Sequence, residues 1–334
     1  MITIEGRADR NLQARIKTSA PLLYEDGASP SIDRPAHVRS ASGIVWTGNY
    51  FVVVQDDANF IALVDSTLKK VSAVTLPAGK DGKRQFDDLR GNKKFKMDLE
   101  SCILVPHERQ KLVMTFGSGS SCFREQIVVL SDLDSEPRPR VCRAPELYAA
   151  LRSAEQFAGS EMNIEGAVFL GGKIRLYNRG NGSASENLAP VNASCDLDWS
   201  SLYAYLMDPK EKPPVMENIV RYDLGVLDDL PLGFTDAVEY DGKFFFSAAA
   251  EDSPDALTDG DVAGSVLGIL DEQNKIRYTE ITDESGNRFQ GKIEGIAFQE
   301  NNGNRIFAVV DQDSPNEPSI LCEIELTGPW FRSE

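Results

Sequence analysis

Asn163-Ile164-Glu165-Gly166-Ala167-Val168-Phe169-Leu170-Gly171-Gly172-Lys173-Ile174-Arg175-Leu176-Tyr177-Asn178-Arg179-Gly180-Asn181 is the stretch from which the rest of the chain can be read. An acid opens a short apolar run, Gly171-Gly172 turns the chain, a second apolar run returns, and the chain then becomes polar. Short apolar runs bounded by glycine and asparagine read as two paired strands. The same phrase recurs as Ala41-Ser42-Gly43-Ile44, Leu99-Glu100-Ser101-Cys102, Thr235-Asp236-Ala237-Val238 and Ile293-Glu294-Gly295-Ile296. Each copy carries an oxygen-bearing side chain and leads to a polar segment: Gln55-Asp56-Asp57, Gly117-Ser118-Gly119-Ser120, Asn178-Arg179-Gly180-Asn181, Ala250-Glu251-Asp252 and Asp311-Gln312-Asp313. The marked oxygens are 58, 65, 71 and 58 residues apart. Self-similarity at a long fixed period is the signature of a radial or stacked array.

Each interval holds about four strand-like runs, and four-stranded units repeated around an axis describe a β-propeller. In the third interval the expected strands are Ala167–Leu170, Ile174–Asn178, Leu202–Met207 and Ile219–Leu224. In the fifth they are Ile296–Gln299, Ile306–Val310 and Ile320–Ile324, with Gln13–Thr18 from the N-terminus as the fourth. The expectation is an all-β, five-bladed propeller, or a six-bladed one if residues 1–40 hold a degenerate copy. It forms one domain over residues 1–334, closed by pairing N- and C-terminal strands. Residues 144–157 carry apolar side chains at helical spacing, with Pro145 near the start and Gly159 past the end, and predict one short inserted helix. The polar stretches 183–200 and 252–264 predict loops on the face that carries the site.

Of 334 residues, 41 % are hydrophobic, enough to bury a large core, and the formal net charge is −17. Such a charge argues against nucleic acid or an anionic membrane as partner and suits cation binding. No apolar run approaches the roughly 18 residues of a membrane helix, and the first residues lack the apolar core of a signal peptide. The five cysteines, Cys102, Cys122, Cys142, Cys195 and Cys322, have no C-x-x-C spacing and read as reduced thiols of a cytoplasmic protein. With only His37 and His107 available, a zinc site or a Ser-His-Asp triad is disfavoured.

In a propeller the first strand of each blade lines the central channel. Ser42, Glu100, Glu165, Asp236 and Glu294 would then converge, and four like charges in a narrow channel require protons or a cation. Oxygen-only ligands select Ca²⁺, or Mg²⁺, over zinc or copper, and Ca²⁺ tolerates irregular coordination best. The alternative is that these acids bind backbone amides of neighbouring blades. Around the channel mouth, Arg124 and Arg179 stand beside glycine-rich turns, where arginine can grip phosphate or carboxylate. Lys93-Lys94-Phe95-Lys96 adds a basic run. Among the carboxylates of the same layer, Glu251 and Asp311 are candidate general bases. The expected ligand is an anionic small molecule.

At these residues the chain resembles the calcium-activated nucleotidases (apyrases), in which Ser and Glu side chains on the first strands of five blades hold a calcium. The resemblance implies Ser42, Glu100, Glu165, Asp236 and Glu294 as ligands. The phrase Ile293-Glu294-Gly295-Ile296-Ala297 is also similar to the phytase-esterase, gluconolactonase and paraoxonase propellers. From about residue 40 onward the chain resembles a set of uncharacterised bacterial propellers. The shared phrases are Asp98-Leu99-Glu100, Phe116-Gly117-Ser118-Gly119-Ser120, Asn163-Ile164-Glu165-Gly166, Arg179-Gly180-Asn181-Gly182 and Phe246-Ser247-Ala248-Ala249-Ala250-Glu251. That last resemblance implies no activity; the arginines beside an acidic channel of the nucleotidase type lead to the expectation of a calcium-dependent hydrolase of a phosphorylated or otherwise anionic small molecule. The alternatives are a non-catalytic binding propeller with a structural metal and a calcium-dependent lactonase or esterase.

Overall fold

Strand pairing in the computed structural model follows the repeat. The structure describes residues 3–331 except 186, 209, 253–259, 261, 271–274 and 301. The chain is mostly β, built from four-stranded antiparallel sheets in sequence order. The first is Ala41–Trp46, Tyr50–Gln55, Phe60–Asp65 and Val71–Thr75. The second is Leu99–His107, Gln110–Gly117, Gln126–Ser131 and Arg138–Arg143. The third is Ile164–Leu170, Lys173–Asn178, Asn192–Asp198 and Met216–Asp223. The fourth is Leu230–Tyr240, Lys243–Glu251, Val262–Leu270 and Ile276–Thr282. In the last, Ile293–Phe298, Arg305–Val310 and Ile320–Thr327 are completed by Gln13–Pro21, antiparallel to Ile320–Thr327.

The first strands of these sheets touch in cyclic order, the last meeting the first. The core follows the same cycle, with one apolar cluster between each sheet and the next. This explains why the second strand of each repeat is so apolar. Phe51 and Val53 pack toward the last sheet, while Val52 and Val54 pack toward the second, and all four are fully buried. A strand buried on both faces has no solvent side to make polar. This sheet-on-sheet cycle is a β-propeller arrangement.

Residues 3–40 supply edges rather than a unit of their own. Thr3–Ala8 pairs in parallel first with the outer strand of the third sheet and then with that of the fourth. Gln13–Pro21 also touches the outer strand of the fourth sheet, so the N-terminus joins three sheets into one hydrogen-bonded set.

Two expectations for the third sheet are corrected. Leu202–Met207 lies in a helix, Trp199–Met207, and the third strand, Asn192–Asp198, comes from the segment expected to be a loop. Trp199, Leu202, Tyr205 and Leu206 are buried at helical spacing, and the Asp198 side chain caps the helix by accepting from the Ser201 amide at 2.8 Å. The expected helix near residue 145 forms as Pro145–Ser153 and Glu155–Ala158. Both helical segments pack into the cluster between the second and third sheets, where Tyr205 donates to Glu146 at 2.9 Å. Of the expected 252–264 loop, residues 253–259 and 261 lie outside the described residues, and Val262–Leu270 is strand.

Where first strands cross most closely there is no room for a side chain. A Cβ on Gly295 would lie 2.7 Å from the Gly43 Cα of the first sheet. Gly295→Ala must therefore push two backbones apart and is expected to cost about 1–3 kcal/mol. Chemical denaturation checks this; an unchanged midpoint would contradict the close crossing of the last and first sheets.

Candidate functional site

Every first strand is interrupted at one place. The register with the second strand shifts between Ala41 and Gly43, Leu99 and Ser101, Ile164 and Gly166, Phe234 and Asp236, and Ile293 and Gly295. Each shift leaves one extra residue, a β-bulge, which re-aims its side chain. The bulge residues are Ser42, Glu100, Glu165, Thr235 and Glu294. The fourth repeat is thus Phe234-Thr235-Asp236-Ala237, one residue out of step with the sequence reading. Asp236 takes the place that Gly43, Ser101, Gly166 and Gly295 hold elsewhere. Its carboxylate accepts from the Ala237 amide at 2.7 Å and from the Ile296 amide of the next sheet at 2.8 Å. As a metal ligand, Asp236 is corrected: its oxygens bind backbone across the sheet boundary, and it does not line the cavity described next. Thr235, fully buried, donates to Ser247 Oγ at 2.8 Å.

Ser42, Glu100, Glu165 and Glu294 do line one cavity of about 360 Å³, together with Arg124, Arg179 and Asp311. The residues two before each bulge are Ser40, Asp98, Asn163, Gly233 and Lys292. Ser40, Asp98, Asn163 and Lys292 lie just before their strands and line the cavity, with Ser40 and Asp98 at positive φ, whereas Gly233 lies within its strand and does not. Two lysines of the basic run, Lys93 and Lys96, line the cavity, and Lys96 is buried there. Nothing in the sequence marks Arg39, which also lines the cavity.

The charges pair in two groups. On the side of the first two sheets, Lys96 Nζ lies 2.5 Å from Asp56, 3.1 Å from Asp57 and 2.7 Å from Asp98. Arg124 Nη1 is 2.8 Å from Asp98, and the Ser118 hydroxyl donates to the same carboxylate. Arg39 pairs with Asp87 at 3.1 Å. On the opposite side, Arg179 meets Glu165 at 3.4 Å and Glu251 at 2.5 Å. Lys292 meets Glu294 at 2.8 Å and Glu251 at 3.4 Å. Asn163 donates to Glu165 at 2.7 Å. Glu251 stands behind the wall, accepting from Arg179, Lys292 and the Gly260 amide, so it positions those cations rather than facing the cavity. Ser42 donates to the Leu99 carbonyl and keeps its lone pairs.

The acids outnumber these partners. Glu100 is only 9 % exposed, and no hydrogen-bond donor among the described residues reaches it. Asp56 Oδ1 is buried without a partner. Asp56, Asp98 and Glu100 offer oxygens within 4.8 Å of one another. Burial, then the charges of Asp98, Glu165 and Asp56, push Glu100 well above the usual carboxylate range. Burial and Asp57 push Asp56 up to about 8 against the pull of Lys96. Burial carries Glu294 to about 8 and, with Asp313 and Asp57, Asp311 to about 7. For Asp98 burial also raises, but Lys96, Arg124 and the Ser118 hydroxyl outweigh it and hold the group at about 2. The donor set is hard oxygen throughout, and the unpartnered oxygens fit a divalent cation.

The chain belongs to a family of unknown function (DUF6929), which matches residues 37–326. No curated protein matches its sequence. Among solved structures it is similar to a glutaminyl cyclase from Myxococcus xanthus, with 11 % identity, 98 % of this chain and 99 % of that one covered, and a TM-score of 0.47. It is also similar to regucalcin, a calcium-binding protein from Agrobacterium tumefaciens, with 9 % identity, both chains fully covered, and a TM-score of 0.41. A β-1,3-galactosidase of glycoside hydrolase family 43 shares 13 % identity over 91 % of this chain and 93 % of its own, with a TM-score of 0.45. At these scores none of them assigns a chemistry to this chain. No helix among the described residues is long and apolar enough to cross a membrane.

The raised acids fix a sign for pH dependence. Asp56, Glu294 and Asp311 hold protons in the folded chain that the unfolded chain releases near pH 4. Their contribution to stability is full below about pH 4 and is lost as pH rises through about 7 to 8. Asp98 acts oppositely, stabilising above about pH 4 and losing its effect toward about 2. In chelator, the melting temperature is expected to fall between pH 5 and about 8.5. Thermal scans across pH check this; a melting temperature that climbs with pH in chelator would contradict it.

Proposed function

We propose that this chain is a five-bladed propeller that binds calcium in its acidic cavity and hydrolyses a small anionic molecule there. The observation that carries the reading is the cluster of Asp56, Asp98 and Glu100 on the cavity wall, with the buried Glu100 carboxylate free of any donor among the described residues. A surplus of buried carboxylates requires either protons or a cation, and at neutral pH a divalent cation supplies more compensation than a proton. Asp56, Asp98 and Glu100 would hold it, with Ser42 beside them and Glu165 and Glu294 farther round the ring. Bound there, calcium supplies Lewis acidity toward an oxygen of the ligand and toward a water.

The chain's own residues supply the rest. Lys96 shares Asp56 and Asp98 with the cation and keeps those carboxylates from repelling each other. Asp311, on the same cavity wall and held near neutrality, can take a proton from water at pH 7. Arg179 and Lys292, tied to Glu251, fix Glu165 and Glu294 in place. A second reading, a binding propeller with a structural cation, draws support from this same pairing. Arg179 and Lys292 are engaged by carboxylates and present less charge to a transition state.

A panel of phosphate esters and anhydrides, followed by lactones and aryl esters, tests the choice. The expected result is product release that chelator abolishes and calcium restores. Glu100→Gln should lower it at least 100-fold, and Asp236→Asn, though destabilised, should keep calcium affinity within about threefold. Calcium that raises the melting temperature with no turnover of any compound would replace hydrolysis with the binding reading.

A further inference from the structure

We propose that Arg124 holds a two-oxygen anionic group, carboxylate or phosphate, of the molecule that enters the cavity. This rests on the reading of the cavity as a site for a small anion and narrows it to one anchoring residue. The three arginines that line the cavity are not equivalent. Arg39 uses Nη1 on Gln85 and Asp87 and Nη2 on the Phe86 carbonyl. Arg179 uses Nη1 on Glu165 and Nη2 on Glu251, and its Nε packs against Gly233. Arg124 uses Nη1 alone, 2.8 Å from both Asp98 and Ser120. No acceptor among the described residues reaches its Nε or Nη2; a buried, unpartnered Nε is common to all three arginines, so the unengaged Nη2 is what sets Arg124 apart. Side-on binding of a carboxylate or phosphate uses that Nε–Nη2 edge.

The guanidinium is held in place before any ligand arrives. Ser118 and Ser120 contact each other at 2.8 Å while one bonds Asp98 and the other Arg124, so both acceptors of Nη1 are themselves fixed. The turn that carries them depends on Gly119, at φ +74° and with no space for a Cβ beside the Tyr148 ring. Asp98 is shared with Lys96, so it neutralises Arg124 only in part. Asp98 also belongs to the cluster proposed for the cation. An oxyanion on Arg124 would therefore lie beside that cation, with opposite charge on both sides. A neutral hydroxyl would leave much of this field uncompensated.

The test titrates inorganic phosphate and, separately, acetate into the wild type and into Arg124→Lys, each in chelator and in calcium. Saturable binding of either anion by the wild type, weakened at least tenfold in Arg124→Lys, is the expected result, and the anion that binds identifies the source of the group. Calcium affinity is measured alone in both proteins, because Arg124 contacts Asp98 and a change in one site is felt at the other; saturable calcium binding by the wild type upholds the calcium reading whatever the anion result. Failure of the calcium reading is thus seen apart from failure of the anion anchor. Equal anion affinity in both proteins, or no saturable binding by the wild type under either condition, overturns the proposal. If Arg124→Lys does not fold, the through-bond-assigned Nε–H resonance of wild-type Arg124 decides. It should move on phosphate or acetate addition, and an unmoved resonance overturns the assignment.

Discussion

Surplus negative charge in a closed space is the constraint on which this structure depends. The cycle of sheets brings Glu100, Glu165 and Glu294 together by geometry, and Asp56, Asp98 and Asp311 join them from neighbouring positions. Away from water such charges cost several kcal/mol each unless compensated. The chain offers Lys96, Arg124, Arg179 and Lys292 as built-in cations, and protons raise several acids toward neutrality. Glu100, which no donor among the described residues reaches, is left to a proton or a cation. The site is therefore assembled by the same cycle of sheet contacts that builds the core, and its remaining charge is left to protons or a cation.

The bulge in each first strand joins fold to site. A regular strand would alternate its side chains between the two neighbouring sheets. One extra residue breaks that alternation and leaves Ser42, Glu100, Glu165 and Glu294 on the cavity. The next residue then lies where two first strands cross, which favours glycine at Gly43, Gly166 and Gly295. Asp236 occupies that crossing position and uses it differently, tying two sheets through the Ala237 and Ile296 amides. A single sequence position thus serves packing in three repeats and a cross-sheet bond in another.

Much of this was legible in the sequence. The phrase with its oxygen-bearing side chain, the two apolar runs and the polar tail located the first two strands of every repeat, and the N-terminal edge strand was readable from Gln13–Thr18. What failed did so for identifiable reasons. Leu202–Met207 is apolar enough for a strand, but the Asp198 cap and the spacing of Trp199, Leu202 and Leu206 make it a helix. The fourth repeat was misread by one residue because Thr235 is a poorer marker than the acidic Asp236 beside it. Ion pairing was the least legible layer. Lys96 read only as part of a basic run near the channel mouth, and only the fold shows that its ammonium sits among three carboxylates.

The most direct test of the account is isothermal titration of calcium into chelator-treated protein near pH 7, in two buffers of different ionisation enthalpy. The account predicts saturable binding of about one ion per chain, with protons released as the raised carboxylates become ligands. Absence of saturable heat, or binding whose enthalpy does not depend on the buffer, would contradict it.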